Sequence, residues 1–315
     1  MDRLTKLYPM VQFAKDTWEI DEFDAASIFL LIGEEKAMVI DCGMGIGDLR
    51  GAIEMLTDKP LVCVITHGHI DHTGNIRQFE EAWMNPKDND KEFPENLERR
   101  KFDTYRIAQR NKGSIGAPFN MFQLYPYDID VDLRGPESYD KVPVIHDLTD
   151  GMTFNLGGRV VTAYECPGHT AGEMVLIDSQ TRIMFCGDAL NFNLNIGAVP
   201  VETTLKALKR IQSMNDQYDC IMNGHHDFRA LGMPLDEDCL TNVIALCEEI
   251  MEGHYSDCQF PSFWGQALKL GKQEGGFTMA PLSAPELVQP PNWGRHAAVR
   301  KGRNFLGFNP DKIYE

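Results

Sequence analysis

No stretch of this 315-residue chain approaches the roughly 18 consecutive apolar residues of a membrane-spanning helix. The opening Met-Asp-Arg-Leu-Thr-Lys also lacks the apolar run of a secretion signal. The expectation is a cytoplasmic protein with no membrane partner. Cysteines spaced C-x-x-C are missing too: Cys42, Cys63, Cys166, Cys186, Cys220, Cys239, Cys247 and Cys258 stand apart, mostly inside apolar stretches. They read as reduced, buried small hydrophobes, which argues against a disulfide framework or a thiolate zinc site. Positive charge is scarce, with 30 Lys plus Arg against 47 Asp plus Glu and a net charge of −17. Such a field repels phosphate backbones, so no nucleic-acid partner is expected. Internal repeats and low-complexity tracts are absent, and with them the solenoid and disordered classes.

What remains is ordinary globular usage, 43% hydrophobic and 24% charged, enough for one elaborated domain over residues 1–315. Ser27 to Gly33 and Lys36 to Cys42 are β-rich runs joined by Glu34-Glu35, a hairpin signal. Leu61 to Thr66 is a short apolar run of the buried-strand kind, and Ile76, Phe79 and the segment to Glu81 suggest a short helix. Arg159 to Cys166, Glu173 to Asp178, Arg182 to Gly187 and Asp219 to Asn223 read as further strands. Thr203 or Thr204 can cap a helix carrying Leu205, Leu208 and Ile211. Leu240, Val243, Ile244, Cys247, Ile250 and Met251 form the i, i+3, i+4, i+7 stripe of a helix packed on a core. Two segments read as additions: an aromatic-bearing insertion over about 86–143, and a C-terminal extension over about 253–315.

The chemistry concentrates in His67-Gly68-His69-Ile70-Asp71-His72, three imidazoles and a carboxylate within six residues. Chance would place H-x-H-x-D-H in only roughly 6 of 10,000 shuffled chains of this composition. In an extended segment residues i and i+2 share a side, so His67 and His69 can face one ion, and a turn at Gly68 to Ile70 sends Asp71 and His72 to a neighbouring position. Imidazole nitrogen and carboxylate oxygen suit zinc, and also iron or manganese. Three more strand-like runs close on Gly and a ligand-type side chain: Pro167-Gly168-His169, Gly187-Asp188 and Gly224-His225-His226. Each alone is unremarkable, a turn with a polar residue. Their combination in this order is not.

The order Asp41, H-x-H-x-D-H, P-G-H-T-x-G, G-D and G-H resembles the metallo-β-lactamase superfamily of hydrolases, over roughly Ser27 to His226. The resemblance implies an α/β fold, a four-layer αββα sandwich with a dinuclear metal site at one edge. It implies that His67, His69 and His169 hold one metal, that Asp71, His72 and His225 hold a second, and that Asp188 bridges them. Asp41 matches the family's first-motif acid and would orient the ligand loop. Enzymes that open β-lactams commonly carry Cys where this chain has Asp188, so the wider hydrolase branch is favoured. Diiron oxygen reductases of this fold carry Glu in place of His69 and an added flavodoxin domain, neither of which is present.

The implied mechanism is hydrolysis of a small ester, thioester or lactone by a hydroxide shared between two zinc ions, with Asp71 able to orient it. The alternatives are a mononuclear iron dioxygenase of the persulfide type, and a phosphodiesterase or sulfatase of the same superfamily. Asn191, Asn193 and Asn195 follow Asp188 on an expected loop, where an amide could donate to a developing oxyanion or merely shape a turn. His226 is either a supporting donor or exposed. The insertion is expected to cover the metal edge. In the tail, Arg295, Arg300, Lys301 and Arg303 form either a solvated basic face or a segment that, anchored by Trp293 and Phe305, steers an anionic substrate or pairs with a second subunit in a homodimer.

Overall fold

The computed structural model describes residues 4–23, 25–89, 101, 104, 128–133, 143–225, 229–257, 297–301 and 304–315. The first sheet has seven strands in sequential order: β1 (Met10–Ala14), β2 (Thr17–Asp21), β3 (Ser27–Ile32), β4 (Ala37–Ile40), β5 (Leu61–Val64), β6 (Glu81–Met84) and β7 (Val144–Asp147). Strands β1 to β4 pair antiparallel, including the expected β3–β4 hairpin, whereas β4 to β7 pair parallel. Parallel neighbours need crossovers. Helix α1 (Leu49–Glu54) supplies the first, and α2 (Ile70–Thr73) with a 3₁₀ turn at Ile76–Gln78 supplies the second. The third crossover is the 86–143 insertion, which includes α3 (Ile129–Asp132).

The second sheet runs β13-β11-β10-β9-β8, with β8 (Thr153–Asn155), β9 (Val160–Glu165), β10 (Met174–Asp178), β11 (Ile183–Phe185) and β13 (Cys220–Met222). Its outer face carries α4 (Val201–Ser213) and α5 (Cys239–Met251). A third, smaller sheet joins β12 (Asn193–Asn195) to the C-terminal strands β14 (Ser256–Asp257), β15 (Ala297–Lys301) and β16 (Asn304–Phe308) in the order β12-β16-β15-β14.

The strand period of two sorts these side chains into layers. Ile28, Leu30 and Val39 face out to Leu49, Ala52 and Ile53 of α1. Their neighbours Phe29, Leu31, Met38 and Ile40 face in, against Val161, Ala163, Leu176 and Phe185 of the second sheet, where the Phe29 and Phe185 rings lie 4.8 Å apart. Val175, Ile177 and Met184 face the other way, onto Leu208 and Ile211 of α4, Val243, Ile244, Cys247 and Ile250 of α5, and Leu306 and Phe308 of β16. Three apolar interfaces separate helix, sheet, sheet and helix: the αββα order. Burying large side chains in each, at about 1.5–3 kcal/mol apiece, supplies the drive that holds two sheets face to face.

Several local expectations change. Pro200, not a threonine, occupies the N-cap of α4; its ring fixes φ at the entry, and Thr204 lies in the first turn with its hydroxyl 3.4 Å from the Pro200 carbonyl. Glu81 opens strand β6 and is not part of a helix, because it pairs with Val144 of a strand far along the chain. Asn193 and Asn195 lie on β12 and not on a loop, since β16 pairs alongside. The tail contributes regular strands, with Arg300 and Lys301 on β15 and Phe305 on β16. Trp293, Arg295, Arg303, His226, Cys258 and the aromatics of the insertion lie outside the described residues. The seven described cysteines are all free. Among the described residues no helix is long and apolar enough to cross a membrane.

Candidate metal centre

All seven side chains singled out as ligands meet at one edge of the sandwich. The topology explains why. Strands β4 and β5 are parallel, so Asp41 and the Thr66–His72 segment leave the first sheet at the same end. In the second sheet β9, β10 and β11 alternate direction and β13 runs with β11, so His169, Asp188 and His225 follow the C-terminal ends of β9, β11 and β13. These ends face the same edge. His69 is the N-cap residue of α2, and its carbonyl accepts from the Thr73 hydroxyl at 2.9 Å and from the His72 and Thr73 N–H groups at 3.1 Å. That one turn separates His67 and His69 from Asp71 and His72.

Three overlapping groups could each hold a metal ion: His67, His69 and His169; Asp71, His72 and His225; and His67, His72 and Asp188. In the first, His69 Nδ1 lies 3.2 Å from His67 Nε2 and 3.0 Å from His169 Nε2. Nitrogens held at about 2.0–2.1 Å from one tetrahedral ion would stand about 3.3 Å apart, close to this spacing. In the second, His225 Nε2 lies 3.5 Å from Asp71 Oδ2, and His72 Nε2 is 3.9 Å from Asp71 Oδ1. Asp188 stands between them: its carboxylate is 3.5 Å from His169, 3.7 Å from His72 and 3.3 Å from His225.

The proton arrangement fits the same reading. The His169 Nδ1–H donates to the Asn195 carbonyl at 2.9 Å, and the His72 Nδ1–H donates to Asp41 Oδ2 at 2.8 Å. Asp41 also accepts from the Thr66 N–H at 2.7 Å and from its hydroxyl at 2.8 Å, which leaves Thr66 Oγ1 to accept from His67 Nδ1 at 3.1 Å. Every Nδ1 so engaged turns an Nε2 lone pair toward the cluster. Two buried atoms of this cluster, His72 Nε2 and Asp188 Oδ1, have no hydrogen-bond partner among the described residues. Orphaned buried polar atoms are costly, and a cation satisfies both. A Cβ on Gly224 would come within 2.6 Å of His72 and 2.9 Å of Asp188, so only glycine lets that backbone floor the site.

Burial works to lower the basicity of His72, but the carboxylates of Asp41, Asp71 and Asp188 outweigh it and push the imidazole up to about 9. His67 goes the other way, lowered by burial and by the neighbouring His72 and His69. Burial would raise Asp188, yet His225, His72 and His169 hold it well below the usual carboxylate range. Burial, then the charge of Asp188, pushes Glu173 well above that range.

Several supporting groups went unseen in the sequence. Glu173, fully buried, accepts the Asp188 N–H at 3.0 Å and lies 3.4 Å from His67 Nδ1. Glu22, equally buried, gathers the N–H groups of Met44, Gly45 and Ile46 and the Asn75 amide, fixing the turn beyond Asp41 against α2. Asn195 acts through its backbone carbonyl. Asn191 turns its own oxygen to the Phe192 N–H at 2.7 Å. Asn193 pairs in register with Phe305. A loop residue such as Glu22, whose partners are chiefly backbone N–H groups, carries no sequence spacing that marks it.

Fold and site together define an αββα sandwich with a candidate metal centre at one edge. The family model described as the metallo-beta-lactamase superfamily matches residues 21–225, well over half of the chain, and the chain belongs to that superfamily. Among curated proteins it is 28% identical to an acyl-coenzyme A thioesterase of Homo sapiens over 52% of this chain and 58% of that relative's length. It is 28% identical to an atrochrysone carboxyl ACP thioesterase of Aspergillus fumigatus over 31% of this chain and 30% of that one. It is 26% identical to the hydroxyacylglutathione hydrolase GloC of Haemophilus influenzae over 63% and 84%. Among solved structures, a metallo-beta-lactamase from Pontibacter korlensis shares the fold with TM-score 0.51 and 17% identity, covering 77% of this chain and 99% of that one. The sec-alkyl sulfatase PisA1 double mutant shares it with TM-score 0.52 and 12% identity, covering 78% and 42%.

Proposed function

We propose that this protein is a metal-dependent hydrolase of acyl thioesters, carried by the convergence of five imidazoles and two carboxylates on one edge of the sandwich. Thioesters are favoured over the ester and lactone readings because two of the relatives reported above are named thioesterases. The donor set fits two divalent cations, zinc first by its preference for imidazole and carboxylate, at His67, His69 and His169 and at Asp71, His72 and His225, with Asp188 between. When bound, such a pair supplies a hydroxide from water near neutral pH and polarises the carbonyl under attack.

The chain's own residues orient this chemistry. Asp71, 26% exposed, is the most accessible carboxylate of the set, placed to accept a proton from the attacking water. Asp188 is held as a carboxylate by three imidazoles, so it contributes negative charge between the two groups. A thiol leaving group, with an ordinary pKa near about 8.5, departs largely as thiolate and asks less of a proton donor than an alcohol does. The two complete groups favour this reading over a single-iron oxygenase, which has no use for the second.

The test is a panel of an acyl-coenzyme A, an activated ester, a lactone, a phosphodiester and a sulfate ester, with metal content measured beside it. The thioester should be turned over at least about tenfold faster in kcat/KM than the others, with about two ions per chain. Asp188→Ala should lower bound metal and rate together, the rate by roughly a thousandfold. One iron per chain, or turnover confined to the phosphodiester, would overturn the proposal.

A further inference from the structure

Asp88 stands at the root of the 86–143 insertion, four residues beyond β6, and is buried with 1% exposure. A carboxylate so far from water must find its partners in the protein. All three that it finds belong to the two ligand loops. Oδ2 accepts from the Gly68 N–H at 3.1 Å and from the Thr170 hydroxyl at 2.6 Å, and Oδ1 accepts from the Gly172 N–H at 3.0 Å. Gly68 is the residue between His67 and His69, and Thr170 follows His169 directly. Both loops are pressed onto Asp88. A Cβ at Gly68 would stand 2.6 Å from the Asp88 carbonyl oxygen, and one at Gly172 would stand 2.8 Å from its carboxyl carbon.

The loops come from different sheets, and no covalent path shorter than about a hundred residues joins them. Something must hold His69 Nδ1 at 3.0 Å from His169 Nε2 across that gap, with His67 Nε2 3.2 Å from His69 on the near side. We infer that Asp88 is a positioning residue that clamps the two loops together and so sets the three-histidine group for its cation. This inference rests on the metal reading of the site but not on the substrate. Asp88 touches no ligand side chain itself. It acts through the backbone at Gly68 and Gly172 and through Thr170, and the geometry of donors held this way governs affinity by about 10–100-fold in metal sites generally.

The clamp needs an acceptor at both oxygens, which makes Asp88→Asn a sharp variant. It has the same shape, but its NH₂ group must face at least one donor, either Gly172 or the Gly68 and Thr170 pair. Thr170→Val removes one of the three bonds and leaves the carboxylate. Metal-free wild type, Asp88→Asn and Thr170→Val should be titrated with cobalt(II) against a competing chelator, following both binding steps and the visible cobalt spectrum, with thermal melting of each metal-free protein alongside. The step assigned to the three-histidine group by its loss in His169→Ala should weaken by about 10–100-fold in Asp88→Asn and less in Thr170→Val, with an altered spectrum. The other step should stay within about threefold of wild type. Unchanged cobalt affinity in Asp88→Asn, whatever its melting temperature, overturns the clamp, as does an equal loss at both steps. Wild-type protein that takes up no cobalt would sink the metal reading itself, and the clamp with it.

Discussion

His72 and His169 keep their ring orientations by different means. His72 leans on the carboxylate of Asp41, which is 1% exposed and lies at the end of β4, beside the strand that leads into the ligand loop. His169 leans on the neutral carbonyl of Asn195, on a strand whose partner in the small sheet is β16, contributed by the C-terminal region. The first brace is charged, and it lies within one sheet. The second is uncharged, and the strand that carries it pairs with a strand more than a hundred residues further along the chain. A carboxylate makes its imidazole a stronger donor but also lets a proton compete for the same lone pair; a carbonyl fixes direction with far less effect on charge. The two halves of the site should therefore answer differently to pH and to damage in the fold.

Asp41→Asn should break the comparison most strongly. Asp41 accepts three bonds, from the Thr66 N–H, the Thr66 hydroxyl and His72 Nδ1, and an amide cannot accept all three. Cation affinity at the Asp71, His72 and His225 group should fall by about 10–100-fold. The pH dependence has a definite sign. His72 is raised from 6.5 to about 9, so in the metal-free protein its stabilising contribution is fully present below pH 6.5 and is lost as pH rises through 9. A cation needs the deprotonated Nε2, so uptake there should release a proton and tighten as pH climbs from 6.5 toward 9. In Asp41→Asn that climb should end at a lower pH. Chelator competition from pH 6 to 10 measures both, and a flat profile in the wild type would remove the charged brace from the comparison.

Leu306→Ala sharpens the other half. Leu306 is fully buried against α5 and pairs in register with Leu194 on β12, one residue from the Asn195 carbonyl. Ile196 also donates to the Gly307 carbonyl at 2.9 Å, so β16 fixes β12 on both sides of Asn195. Truncating the leucine should cost about 2–5 kcal/mol of stability in urea unfolding. Affinity at the three-histidine group should drop several-fold, while the Asp71, His72 and His225 group holds. Equal loss at both positions would mean that the tail supports the whole sandwich and not His169 in particular.

These braces also mark how far the sequence could be read. Asp41 was legible because a side chain did the work, close to its partner and within a motif whose order was recognisable. The seven candidate ligands were legible for a related reason: His and Asp offer donor atoms suited to a cation, and their clusters follow the ends of short apolar strands. The hairpin of β3 and β4 and the stripe of α5 follow from periods of two and 3.6 that need no distant partner. Asn195 was not legible in its role, because a carbonyl is common to every residue and strand β12 exists only where β16 lies beside it. Glu81 misled for a related reason, since β6 and β7 are short parallel strands whose pairing is decided across the whole insertion. Asp88 and Glu22 accept backbone N–H groups whose positions depend on loops packed from elsewhere, and no spacing in sequence records that.

The smallest expected effect concerns Asn191, which separates a role in turning the chain from a role in stabilising charge. Its side-chain oxygen accepts the Phe192 N–H at 2.7 Å, three residues beyond Asp188 and just before β12 begins. An aspartate at this position keeps that acceptor and loses the amide donor; an alanine loses both. If the amide donated to a developing oxyanion, both variants would lose about 10²–10³ in kcat, as removal of such a donor does elsewhere. A turn-forming role separates them instead. Asn191→Asp should stay within about threefold of wild type in kcat, and Asn191→Ala should show a stability loss of about 0.5–1.5 kcal/mol from the missing hydrogen bond. Because this turn delivers β12 to His169, Asn191→Ala should also weaken cation binding at the three-histidine group slightly, by less than Leu306→Ala does. Parallel hundredfold losses of kcat in both variants, with metal content intact, would return Asn191 to the reacting centre as a donor to developing charge.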